Sequence, residues 1–233
     1  MAGIVAATVA LQVGLFAIPQ MYDAPPRAML CASLMIAGVW VAIASAVFAA
    51  GPKSAISGLV RGGSVADATV VLLVVLWLRT PEISFTSACK LYCIYASVSL
   101  CAVAIVRLGR TLSFRYLLAV VAATGLTLLQ AGLFWLPGLL GLVPREWKTA
   151  VATYGLRTNP LYGVFSGIAE ETGFVWNQAD VMYGVTKLGE DVPIGTVQWY
   201  EPMAIHLAAA LVLGAWAVLR LGRGSTSRTS QAS

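Results

Sequence analysis

The sequence predicts an all-α fold: a polytopic membrane protein of about six transmembrane helices, with a short extracytoplasmic helical hairpin between the fifth and sixth. Three observations predict it. Hydrophobic residues make up 59% of the chain, charged residues 11%, and the mean hydropathy is +0.82; a soluble domain carries about 25% charged residues. Six apolar runs come close to the roughly 20 residues that a helix needs to cross a bilayer. Lysine and arginine are also denser in alternate connections between those runs, as the rule that favours positive charge on the cytoplasmic side requires. A chain of 233 residues makes one compact bundle, over residues 1–223, with a Ser/Thr-rich, disordered cytoplasmic tail over 224–233.

The first run, 3–19, has no Lys or Arg before it and no small-x-small cleavage pattern after it, which favours a membrane helix over the alternative, a signal peptide. The runs at 28–50, 64–78, 87–106, 116–137 and 203–221 follow. The third is short unless it extends back through 58–63, and the fourth carries Lys90 near one end, where its stem can snorkel to the interface. With the N-terminus inside, the cytoplasmic connections hold Lys53 and Arg61, then Arg107, Arg110 and Arg115, then Arg220, Arg223 and Arg228. The short outer loops hold only Arg27 and Arg79. Both termini are therefore expected in the cytoplasm. Trp77, Trp135, Trp147, Trp199 and Tyr200 flank the expected outer ends, as an aromatic belt does.

The outer loop, 143–201, is long but not simply hydrophilic. Residues 161–168 read LYGVFSGI, and 174–185 mix Phe174, Trp176, Met182 and Tyr183 with Asn177, Gln178 and Asp180. Both pieces are too short to span, and apolar segments of that size are re-entrant or interfacial. Asn159-Pro160 opens the first as a helix start, Gly173 separates the two, and Gly189 and Pro193 close the second. This hairpin carries Asn159, Pro160, Tyr162, Glu170 and Glu171.

The stretch FWLPGLLGLVP at the end of the fifth run, followed by TNPLYGVFSGI, resembles ABC-2-type exporter permeases over 134–168. The expected layout is similar along the whole chain: six helices, cytoplasmic termini, and two short outer helices before the last span. The resemblance implies a permease subunit that dimerises and is driven by a separate cytoplasmic ATPase. The hairpin would shape the outer exit and the 51–63 loop would meet the ATPase. That loop is short and glycine-rich here, and no amphipathic helix precedes the first span. The chain has no Walker-type phosphate loop, so ATP hydrolysis would belong to another subunit.

Candidate chemistry is sparse. Glu170 and Glu171 are adjacent and cannot share a helix face, so a solvated helix end outweighs a cation or proton site. Asp67 is expected near the start of the third helix, where its charge suits the helix dipole, with a gate or an Arg61 pair as the functional alternative. Cys89 and Cys93 share a face and could bind a soft metal, but small packing thiols explain them as well. His206, the single histidine, reads as a packing or interfacial residue. Thr124, Thr127 and Gln130 lie three apart on the fifth helix and either line a substrate path or tie helices together.

The sequence calls for no catalytic residue, metal or cofactor, and no basic patch interleaved with aromatics points to nucleic acid. The expected partners are the bilayer, a cytoplasmic ATPase, and further copies or other subunits. Short loops favour a bacterial inner membrane. A non-catalytic scaffold subunit of a larger membrane complex is the alternative function, and a membrane enzyme using the loop carboxylates comes third.

Overall fold

The computed structural model describes residues 2–21, 26–51, 55–80, 83–172 and 197–229; side chains are described throughout these except at 13, 15–21, 26–29, 55, 169–172 and 221–229. Every regular element among them is helical: α1 (Ala2–Met21), α2 (Pro26–Ala50), α3 (Ala55–Arg79), α4 (Phe85–Thr111), α5 (Arg115–Gln130), α6 (Gly132–Leu142), α7 (Arg145–Thr158), α8 (Pro160–Thr172) and α9 (Tyr200–Thr229). Four spans are long and apolar enough to cross a membrane: Leu30–Ala50, Ile56–Arg79, Phe85–Thr111 and Tyr200–Arg220. The bent pair α5–α6 makes a fifth if it is one span, and α1 adds a shorter apolar stretch, Ala2–Gln12.

Helix α4 is the centre of the bundle and packs against α2, α3, α5, α8 and α9. It starts on Ser84, whose hydroxyl accepts from the Ser87 N–H at 3.1 Å and so satisfies one of the orphan donors of the first turn. Its buried face carries Leu91, Ile94, Tyr95, Val98 and Ala102. Helix α2, which packs against α3, α4 and α5, buries many small residues, among them Ala37, Ala42, Ala44, Ala46 and Ala49. Small side chains let backbones approach closely where no water drives association. Hydrogen bonds then fix the register. The Tyr95 hydroxyl donates to Leu34 O at 2.8 Å. Ser45 Oγ donates to Ser99 Oγ at 2.9 Å, and Ser99 Oγ donates to Gly62 O at 3.1 Å, joining α2, α4 and α3 through one hydroxyl.

Between α4 and α5 the chain turns on a left-handed residue. Ser113 has φ 62°, its N–H bonds Arg110 O, and the Phe114 N–H bonds Gly109 O, the paired pattern of a Schellman stop. Serine bears a cost in this conformation that glycine avoids, and a β-branched residue bears more. Ser113→Val is expected to lose about 1–2 kcal/mol and Ser113→Gly to lose nothing. Thermal unfolding in detergent checks this; equal midpoints for the two variants would show that the turn is not constrained as described.

Three of the expected runs differ in the structure. Helix α3 begins at Ala55, so most of the expected 51–63 loop is helix and the α2–α3 connection shrinks to 51–54. Asp67, expected near the start of that helix, sits at its middle, twelve positions from Ala55 and twelve from Arg79. The fifth run breaks at Ala131, and the axes of α5 and α6 differ by 75°. The last helix continues to Thr229, into the stretch from Gly224 expected as a tail; that stretch holds no proline to stop it, the helix's one proline, Pro202, being in its first turn. The expected second arm of the outer hairpin, 174–188, lies outside the described residues.

Candidate functional site

The break in the fifth run is the point where α8 docks. An interrupted helix frees carbonyls, and at membrane depth each must find a partner inside the protein. All three freed here do so through side chains. Trp135 Nε1 donates to Leu128 O at 2.8 Å, and Asn159 Nδ2 donates to Leu129 O at 2.8 Å and to Gln130 O at 3.2 Å. Gly132, the first residue of α6, leaves room for this: a Cβ there would stand 3.2 Å from Asn159 Nδ2. Pro137 inside α6 removes one more helical N–H.

Asn159 is 1% exposed and serves three helices. It closes α7 as its C-cap, with its N–H on Leu156 O at 3.1 Å. Its Oδ1 accepts from the Tyr162 N–H at 3.1 Å and so caps α8. Pro160 takes the first position of α8, where a missing N–H costs nothing. The side-chain amide reaches back to α5 as described. The role as helix opener is visible in the Asn-Pro pair; the link to α5 is not.

Gln130, from the expected substrate path, is buried beside this junction. Its Nε2 donates to Gly38 O at 3.1 Å, while its Oε1 and the Oγ1 of Thr127 are buried without a hydrogen-bond partner among the described residues. A Cβ at Gly38 would lie 2.7 Å from that Oε1. Thr124 faces outward, exposed. The structure thus brings Thr127 and Gln130 toward the interior and leaves Thr124 outside.

A second polar junction holds α7, α8 and α9 together. Arg157 Nε lies 2.8 Å from Glu201 Oε2, and Glu201 Oε1 accepts from the Gln198 N–H at 2.9 Å, which caps α9. Ser87 Oγ donates to Gly167 O at 3.1 Å, tying α8 to α4. Lys90 is half-buried with its Nζ 5.9 Å from the Trp199 ring centre. Burial, and then the Glu201 carboxylate, hold the Tyr162 phenol above its ordinary value. Glu170 and Glu171 fall in the last turns of α8, and their side chains lie outside the described residues.

Asp67 accepts a hydrogen bond from the Tyr92 hydroxyl at 2.9 Å on the exposed side of α3 and α4. Helix α1 packs against α3, where Gln12 Nε2 donates to Thr69 Oγ1 at 3.3 Å. His206 is buried, its Nδ1 2.7 Å from Pro202 O. Cys89 and Cys93 are exposed while Cys31 and Cys101 are buried, and the described residues form no group of three His, Cys, Asp or Glu that could hold a metal ion. Sequence reasoning missed α7 altogether. Its signal was Ala152 and Leu156, one turn apart and both buried, in a segment that charged residues otherwise make look like loop.

Compared with known proteins, the chain matches no family model, no curated protein and no solved structure.

Proposed function

We propose that the chain is the membrane-spanning permease subunit of an ABC-2-like transporter in the inner membrane, with six spans, both termini cytoplasmic, an outer helical hairpin and a separate ATPase subunit. The observation that carries this reading is the order of elements after α4. A broken span, α5–α6, is followed by two short helices, α7 and α8, that fold back on the bundle ahead of the last span. Two further features support it. The oxygens of Thr127 and Gln130, buried without a hydrogen-bond partner among the described residues, stand one turn apart on α5 and would meet a polar group passing through the bundle. Exposed Ile56, Leu59 and Val60 on the first turns of α3 offer an apolar surface where the ATPase would dock, in place of the loop first expected there.

One observation favours the scaffold reading instead. Only 17% of the α9 span is buried, against 50–61% for α2, α3 and α4. A span so open at its surface has room for another subunit. The experiment that separates the two is purification of the tagged chain from native membranes in mild detergent, with identification of what accompanies it. The permease reading expects a nucleotide-binding ATPase in a fixed ratio, and ATP hydrolysis that falls when Ile56→Glu and Leu59→Glu are introduced. Other membrane proteins without an ATPase would overturn it and leave the scaffold.

A further inference from the structure

We infer that the α4–α5 turn is a binding site for the phosphate headgroup of an anionic phospholipid. A cavity of about 350 Å³ opens there, lined by Arg110, Ser113, Arg115 and Tyr116. A smaller cleft adjoins it, to which Arg107 and Arg110 contribute together with Gly58 at the start of α3. Among the described residues, no acidic one lines either. Three guanidinium groups thus converge on one end of the bundle, two of them three positions apart on one face of α4.

The arginines are arranged for an anion. The Arg115 guanidinium stacks over the Tyr116 ring at 4.5 Å and its Nη2 donates to Tyr116 Oη at 2.8 Å, which holds its planar fork in one orientation. A fixed fork matches phosphate oxygens in pairs and loses little freedom on binding. The Arg107 Nε is buried without a hydrogen-bond partner among the described residues, so an acceptor is missing there. Basic pockets between membrane helices at a bilayer face bind lipid headgroups.

The surface beside the cavity distinguishes a lipid from a free phosphate. Phe114, Leu117, Val120 and Val121 are all exposed and run outward from the cavity along α5. A phosphate with acyl chains would lay them on that strip; inorganic phosphate would leave it unused. The inference needs only that the chain sits in a bilayer, and it stands or falls independently of the permease reading.

The test is native mass spectrometry of the full chain in nonionic detergent, titrated separately with phosphatidylglycerol, phosphatidylcholine and inorganic phosphate. The expected result is a phosphatidylglycerol adduct at concentrations where phosphatidylcholine gives none. In Arg110→Gln/Arg115→Gln the apparent dissociation constant should rise at least tenfold, while Arg145→Gln, away from the cavity, leaves it unchanged. If the double variant does not purify as a single species, Arg115→Gln alone is compared with Arg115→Lys, and the glutamine variant should bind the weaker. Equal binding of the two lipids, or binding unaffected by the glutamine substitutions, overturns the site. Displacement of the lipid by millimolar inorganic phosphate overturns the lipid source and leaves a soluble phosphate in its place.

Discussion

Replacing Asn159 with leucine is expected to cost about 3 kcal/mol or more of stability, because it orphans three buried groups in two helices at once. The substitution leaves the carbonyls of Leu129 and Gln130 and the N–H of Tyr162 without their partner. Each buried polar group left unpaired costs about 1–3 kcal/mol, and loss of a helix cap alone costs about 1 kcal/mol. Asn159→Ser separates the contributions. Serine still caps α8 but cannot reach α5, so its loss should fall between wild type and leucine. Unfolding in mixed micelles, followed by helical circular dichroism, reads all three. A serine variant as stable as wild type would show that the amide link to α5 contributes nothing, and the bend would then need another cause.

A larger side chain at Gly62 is expected to force α2, α3 and α4 apart. A Cβ there would collide with Val103 Cγ2 and would lie 3.1 Å from Ser45 O and 3.3 Å from Ala49 Cβ. Val103 is β-branched and stiff at χ1, so it cannot swing aside. Overpacking of this kind costs about 1–3 kcal/mol, and the shift would also break the Ser99 bond to Gly62 O, so Gly62→Val should lie at the upper end. The neighbouring glycine is the control. Nothing lies within 4 Å of a Cβ at Gly63, and Gly63→Ala should gain about 0.5–1 kcal/mol from helix propensity. Adding Val103→Ala to Gly62→Ala should recover part of the loss, because the two side chains compete for one space. If Gly62→Ala and Gly63→Ala behaved alike, the close crossing would be wrong.

The membrane bundle was legible because solvent choice depends on composition, which any apolar run of sufficient length displays. What composition averages over was not. Arg61, Gly62 and Gly63 lower the apolar average at the front of α3, so the helix seemed to begin after them. Gly62 belongs there because a helix crossing needs no side chain at that point, a requirement set by Val103 and Ser45 on other elements. Placing the start too late put Asp67 near an end. The same limit applies at Asn159. Its capping role is local and shows in the Asn-Pro pair, but its bond to Leu129 spans 30 positions and depends on the bend. Helix α7 shows the opposite case. The periodic Ala152 and Leu156 were present in the text, but Arg145, Glu146 and Lys148 obscured them.

The mid-span position of Asp67 has a consequence for how the chain is made. A carboxylate near the middle of an inserting helix costs about 2.5–3.5 kcal/mol on insertion scales. Its hydrogen-bond donor, Tyr92, is 25 positions further along. At about 5–20 residues per second, synthesis delivers that hydroxyl roughly 1–5 s after the acid has left the ribosome. During that interval α3 carries its cost alone, and the cost falls only when α4 arrives with the hydroxyl that the acid accepts from.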